Sequence, residues 1–143
     1  VHRKKLNIIQ AVAVLALVVF LGIVFGSTVF TRTGTIRQYE LVPFWSWRDI
    51  IRYHDWTLLK ENLLNCILLL PTGVLLPIIA NHKIKWCQAL VVGILISAII
   101  EFSQLIFMRG LFEWDDMIHN ALGCMAGCLL TNTVSKYFRE KEK

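Results

Sequence analysis

Acidic side chains inside apolar sequence carry the first chemical question. Glu101 lies in the run "WCQALVVGILISAIIEFSQLIF", residues 86–107. An ionised carboxylate in such a segment costs several kcal/mol unless it is paired, hydrated or protonated. Asp115 and Asp116 stand in "FEWDDMIHNALG", directly before a stretch of small and apolar residues. Glu101, Asp115 and Asp116 are the candidate acid–base groups, and their oxygens are of the type that holds Mg²⁺ or Ca²⁺. His119 comes four positions after Asp115, so an Asp–His pair on one helical face is a further candidate. Asn62, Asn65, Gln104 and Asn120 supply amides that both donate and accept hydrogen bonds. Together with Glu101, Asp116 and the cation Arg109, they form the candidate ligand-binding set. Arg109 is the expected partner of Glu101 or of the aspartates.

These residues must be positioned by helices. Four spans are expected, at about 6–30, 62–80, 86–107 and 116–135. The first contains 25 uncharged residues, longer than the apolar core of a cleavable signal peptide. The second contains Pro71 and Pro77, each expected to kink it. The fourth is the most polar, so it is expected to be enclosed by the others. Gly93, Ser97, Glu101 and Gln104 fall on one stripe of the third span, small at one end and polar at the other. Asp116, Asn120, Gly123 and Gly127 make the matching stripe on the fourth. Pro71, Gly73, Gly93, Ser97, Gly123 and Gly127 are the expected helix-packing positions. The fold class is all-α: a four-helix transmembrane bundle, one domain over residues 1–143.

The loop between the first two spans carries a further element. Ser46 precedes Asp49 by three, a capping-box pattern. Trp47, Ile50, Ile51 and Leu58 then share a face, which predicts a short helix lying in the membrane interface. Trp45, Trp47, Trp56, Trp86 and Trp114 suit headgroup depth. Placing both termini in the cytoplasm puts nine Lys and Arg in inner segments (Arg3, Lys4, Lys5, Lys83, Lys85, Lys136, Arg139, Lys141 and Lys143) and six in outer ones. This bias predicts both termini inside. The polar ends of spans two, three and four then share one depth, in the outer half.

Composition agrees with a membrane chain. Hydrophobic residues make up 56% of the 143, and mean hydropathy is +0.58. The net charge of +5 is concentrated at the ends and in one loop, where it bears on orientation and anionic lipid. No basic helix interleaved with stacking aromatics points to nucleic acid. Cys66, Cys87, Cys124 and Cys128 lie in or beside apolar runs, which argues against a disulfide framework. Cys124 and Cys128 share a face, but no third ligand has matching spacing, so packing is the expected role. No metal and no cofactor is expected.

Three motifs carry a family likeness: "NCILLLPTG" from Asn65 to Gly73, "EFSQ" from Glu101 to Gln104, and "RGLFEWDDMIHNALGCMAG" from Arg109 to Gly127. In these the chain resembles the VanZ-like membrane proteins, over about residues 36–135. "LVPF" at 41–44 is a further, weaker match, with Glu40 where the family often has Asn. The resemblance implies a bacterial cytoplasmic-membrane protein at the cell envelope. The family is named for an accessory protein of glycopeptide-resistance clusters, associated with low-level teicoplanin resistance.

Two functional classes stay open. A binding module would use its outward polar pocket to hold a membrane lipid headgroup, a lipid-linked cell-wall precursor or a lipoglycopeptide. An intramembrane hydrolase or transferase would use Glu101 with Asp115 or Asp116 on a lipid-linked substrate. The enzyme lacks an evident Ser or Cys nucleophile beside a base, so binding is the leading expectation. A transporter using Glu101 fits less well, because four spans show no internal repeat. A buried polar network that only fixes helix packing would explain the same residues.

Overall fold

The computed structural model describes residues 7–141, with side chains through Tyr137. Arg3, Lys4, Lys5 and Lys143 lie outside the described residues, and only the backbone of Arg139 and Lys141 is described. The charge bias behind the expected orientation rests partly on these positions.

The described chain is mostly helical. Helix α1 spans Ile8–Phe25 and runs on through a wide turn at Gly26–Phe30. Asn7 caps its start: the side chain accepts from Gln10 N–H at 2.8 Å and the Gln10 side chain accepts from Asn7 N–H at 3.2 Å. Hydroxyls of Ser27 and Thr28 return to the Val24 carbonyl at the wide turn. Wide turns of this kind are rare in helices and are found often at functional sites. This one contains Thr28 and leads on to Arg32.

Helix α2, Trp45–Tyr53, does not start as the capping-box pattern predicts. Phe44 is the N-cap, in the left-handed region at φ 59°, and it offers no side-chain cap. Ser46 is already inside the helix and turned to another partner. Asp49 pairs with Arg48 at 3.3 Å instead of capping. His54, also left-handed, turns the chain sharply. Asp55 then caps α3, Trp56–Leu68, accepting from Thr57 and Leu58 N–H. The helical stretch of the second span therefore begins at Trp56, six residues before the expected 62, because Asp55 is a cap rather than a face residue.

Leu69 interrupts this stretch, and α4 comes next as Leu70–Ala80. Pro71 sits in the first turn of α4, where its missing N–H leaves no hydrogen bond unmade. Pro77 is inside α4. Helix α5, Trp86–Ile106, ends where Met108 and Gly110 take positive φ. Two short strands depart from the all-α expectation. β1, Gln38–Glu40, pairs in parallel with β2, Leu111–Glu113, matching Tyr39 to Phe112. The pairing ties the loop after α1 to the segment that enters α6, Trp114–Lys141.

Three helical stretches are long and apolar enough to cross a membrane: Ile8–Phe30, Trp56–Ala80 and Trp86–Ile106, with hydropathies of 2.9, 2.3 and 2.2. Their outward residues, such as Leu15, Val19, Ile67 and Leu95, are exposed, as a hydrocarbon surrounding permits. The more polar α6 is the hub. It packs most extensively on α4 and α5 and then on α3, while α1 lies against α4. Its polar and small residues turn inward: Asp115, His119, Asn120, Gly123, Cys124, Gly127 and Cys128 are all buried.

Candidate functional site

The polar ends of α3, α5 and α6 meet at one end of the bundle, with α2 and the turn after α1 laid over them. Asp115 organises the cover. Only 2% of it is exposed, and its two oxygens accept from Phe44 N–H at 2.6 Å and Ser46 Oγ at 2.8 Å. A carboxylate of α6 thus anchors the start of α2, through the backbone N–H of its N-cap residue and a side chain of its first turn. Ser46 Oγ also accepts from Asn62 Nδ2 at 3.1 Å, linking α2 to α3. Trp47 completes the attachment: its indole N–H donates to His119 Nε2 at 2.7 Å, with the rings edge-on. An indole can only donate. His119 is therefore the neutral tautomer protonated on Nδ1.

Beside this clamp lies a cavity of about 490 Å³. Asn62 and Asn65 of α3 line it, together with Asp116 of α6. Asn65 Nδ2 donates to Asp116 Oδ1. Glu61, Glu113, Trp45 and Arg32 complete its polar wall. Burial chiefly, then the nearby Asp116, pushes the Glu113 carboxyl up to about 7; Asp115 and Glu61 add to this and the Trp45 indole opposes it.

Other expected ligand residues sit behind the wall rather than in it. Glu101 is 2% exposed and accepts from the Glu113 backbone N–H at 3.1 Å, so it holds the segment entering α6. Gln104 donates to the Thr28 carbonyl at 3.2 Å, fixing the wide turn. Asn120 donates to Ser97 Oγ at 2.8 Å, joining α6 to α5. One acceptor on each of Gln104 and Asn120 is buried without a partner.

Arg109 does not meet Glu101 or the aspartates. Its guanidinium donates to the Arg32 carbonyl at 2.6 Å, because the left-handed Met108 and Gly110 turn it aside. The cavity's cation is Arg32, which lies within electrostatic reach of Asp116 and Glu101. A Cβ on Gly110 would sit 2.7 Å from Arg32 Nη1, so the glycine leaves the arginine its place. The sequence signal for Arg32 was available: it is the first charge after the long apolar run.

Below the cavity the helices touch through glycine. A Cβ on Gly123 would strike the Cys66 carbonyl, one on Gly127 the Leu70 carbonyl, and one on Gly73 the Cys124 carbonyl. Gly93 lies against Ala121, where a Cβ would be 2.7 Å from its Cα. Ser97 is fully buried beside Asn120, and Pro71 begins α4 just above Gly73.

The chemistry open to this site is narrow. Ser46 does lie beside a carboxylate, a neighbour its place in the sequence does not reveal. However, it is 3% exposed, its Oγ both donates and accepts, and both Asp115 oxygens are occupied. Among the described residues no group of three or more His, Cys, Asp or Glu has metal-holding geometry. Cys124 and Cys128 are buried free thiols in the middle of α6. What remains is a recess of carboxylates, amides, an indole and a guanidinium, suited to hydrogen-bonding a polar group.

No curated protein and no solved structure matches the chain. The VanZ/LLP1 family pattern matches residues 8–135, nearly the whole of it. The chain belongs to the VanZ-like family of membrane-type proteins.

Proposed function

We propose that this VanZ-like protein binds the polar headgroup of a lipid-linked envelope molecule in the cavity beside α6, without turning it over. The observation that carries the reading is the mixed wall: Glu113, Asp116, Asn65, Trp45 and Arg32 around one recess at the end of an apolar bundle. In this reading α6 is the fourth span of a four-helix transmembrane bundle, enclosed by the other three, and residues 1–143 form one domain. Helix α2 lies in the interface. Both termini are cytoplasmic and the cavity opens outward, in the bacterial cytoplasmic membrane. That is the side on which glycopeptides meet cell-wall precursors. Holding a precursor or a lipoglycopeptide there would give low-level teicoplanin resistance.

The test is a binding screen of purified full-length protein against membrane lipids, a lipid-linked cell-wall precursor and teicoplanin, repeated with Asp116→Asn. Retention of one class, reduced by the substitution, is the expected result. A screen in which nothing is retained would remove the reading. Expression in a sensitive host should raise tolerance to teicoplanin more than to vancomycin; unchanged susceptibility to both would end the resistance role.

A second reading, an intramembrane hydrolase or transferase, draws support from Glu113. A carboxyl titrating near 7 beside Asp116 suits an acid–base pair. Glu101 and Asp115, the acid–base candidates from sequence, are committed to backbone and hydroxyl partners. Under this reading, purified protein releases product from the retained lipid, and Glu113→Gln abolishes it.

A further inference from the structure

The charge on the cavity wall is lopsided. Glu61, Glu113 and Asp116 face the recess from α3, β2 and α6, against the single guanidinium of Arg32. None of these carboxylates has an ion-pair partner among the described residues, where the ion pair found is Arg48–Asp49. Carboxylates gathered this way raise one another's cost of ionisation until a cation joins them. The Trp45 indole lies against the Glu113 carboxyl, and both residues line the recess.

The missing partner has a definite chemistry. It must be cationic, to answer the carboxylates. It must donate hydrogen bonds, which those carboxylates accept. A primary ammonium fits: it is a compact charge with three donors, and an indole face adds attraction. Arg32 then has its own use, pairing with an anionic group bonded close to the ammonium.

We infer that the cavity recognises a zwitterionic headgroup, with a primary ammonium directed at Glu61, Glu113 and Asp116 and a neighbouring phosphate at Arg32. This rests on the cavity's being a headgroup site, and it names the headgroup. It also makes recognition pH-dependent. Glu113 faces Asp116 and Asp115 of α6, Glu61 of α3 and Trp45 of α2, with Arg32 across the cavity and Glu101 of α5 behind its backbone. The ammonium favours the ionised carboxylate, so binding strengthens as pH rises through about 7 and weakens below it.

The experiment uses detergent-solubilised full-length protein and three lipids with a common phosphate. Retention is read by native mass spectrometry above and below the Glu113 midpoint. Phosphatidylethanolamine should be held best, phosphatidylcholine less because its ammonium cannot donate, and phosphatidylglycerol least. The first and last should differ about tenfold in apparent Kd above the midpoint, converging below it. Glu61→Gln should weaken phosphatidylethanolamine and leave phosphatidylglycerol unchanged. Should that variant fail to elute as a single species, Glu113→Gln serves, and it should also remove the pH dependence. Soluble glycerophosphoethanolamine should compete if the headgroup suffices; retained lipid without competition assigns the source to a whole membrane lipid. Equal retention of phosphatidylethanolamine and phosphatidylglycerol would overturn the ammonium while leaving a headgroup site. Retention of neither would remove both.

Discussion

The two halves of α6 hold their neighbours by opposite means. From Asp115 to Asn120, nearly every turn reaches a partner through a side-chain hydrogen bond: Ser46 and Phe44 on Asp115, Asn65 on Asp116, Trp47 on His119, Ser97 on Asn120. From Gly123 to Gly127 the same helix makes its closest approaches with no side chain, backbone against the carbonyls of Cys66 and Leu70. One half can be altered atom by atom and keep its shape. The other cannot, because nothing soft lies between the helices. The polar cavity lies beside the first stretch, where side chains hold the elements apart. The glycines of the second half are what bring α3, α4 and α6 close enough for that cavity to have walls.

Substitution in the glycine half should do the most damage. Gly123→Leu drives a side chain into the Cys66 backbone, and overpacking against a carbonyl that cannot move aside costs about 3 kcal/mol. Size-exclusion chromatography in detergent should show loss of the monodisperse species. If Gly123→Leu behaves as wild type, the close approach is not the basis of the bundle.

Asp115→Ala comes next. It leaves Phe44 N–H and Ser46 Oγ without their acceptor, and hydrogen bonds to a charged group are each worth about 1.5–3 kcal/mol. The loss is local, so the bundle should survive while α2 comes free. Limited proteolysis should then cut between 41 and 55, where wild type is protected. Asp115→Asn keeps acceptor capacity and should be cut more slowly. Equal protection of all three proteins would mean that α2 is held by something other than this clamp.

Much of this contrast was legible in the sequence. The steps of three and four between Gly93, Ser97, Glu101 and Gln104, and between Asp116, Asn120, Gly123 and Gly127, place those residues on single faces whatever the tertiary structure. Hence the buried stripes of α5 and α6 could be read directly. The division of labour among the polar residues could not. Arg32 and Arg109 each follow an apolar run, and the left-handed turn at Met108 and Gly110 decides which of them meets the cavity. Ser46 and Asp49 match a capping pattern that an acceptor from α6, nearly seventy residues away, overrides. The β1–β2 pairing is likewise a long-range event between segments too short to announce themselves.

The effect of Glu113 sharpens the comparison from the cavity side. Its carboxyl is raised from 4.5 to about 7 in the folded protein. The folded state therefore holds a proton that the unfolded state has released between those values. This group's contribution to stability is fully present below 4.5, falls as pH rises toward 7, and changes no further above it. Thermal unfolding in detergent across that window should fall less steeply with pH for Glu113→Gln than for wild type. Identical slopes would mean that Glu113 is better hydrated than its cavity position implies. Gly123→Ala, if it folds, should shift the whole curve without changing this slope.

The smallest effect belongs to Trp47→Phe. The substitution keeps an aromatic ring beside His119 and removes one neutral hydrogen bond of 2.7 Å, worth about 1 kcal/mol. His119 Nε2 is then an unpaired acceptor in a buried place, and His119 Nδ1 is already without a partner. The ring has two ways to recover: it can turn, or it can take a second proton. Both are visible by NMR of the labelled imidazole, where wild type should show a single neutral tautomer with the proton on Nδ1. Trp47→Phe should give mixed tautomers or a protonated ring while α2 stays protected from protease, since Asp115 still holds it. If the wild-type ring already carries both protons, the indole is not its donor. The attachment of α2 to α6 would then rest on Asp115 alone.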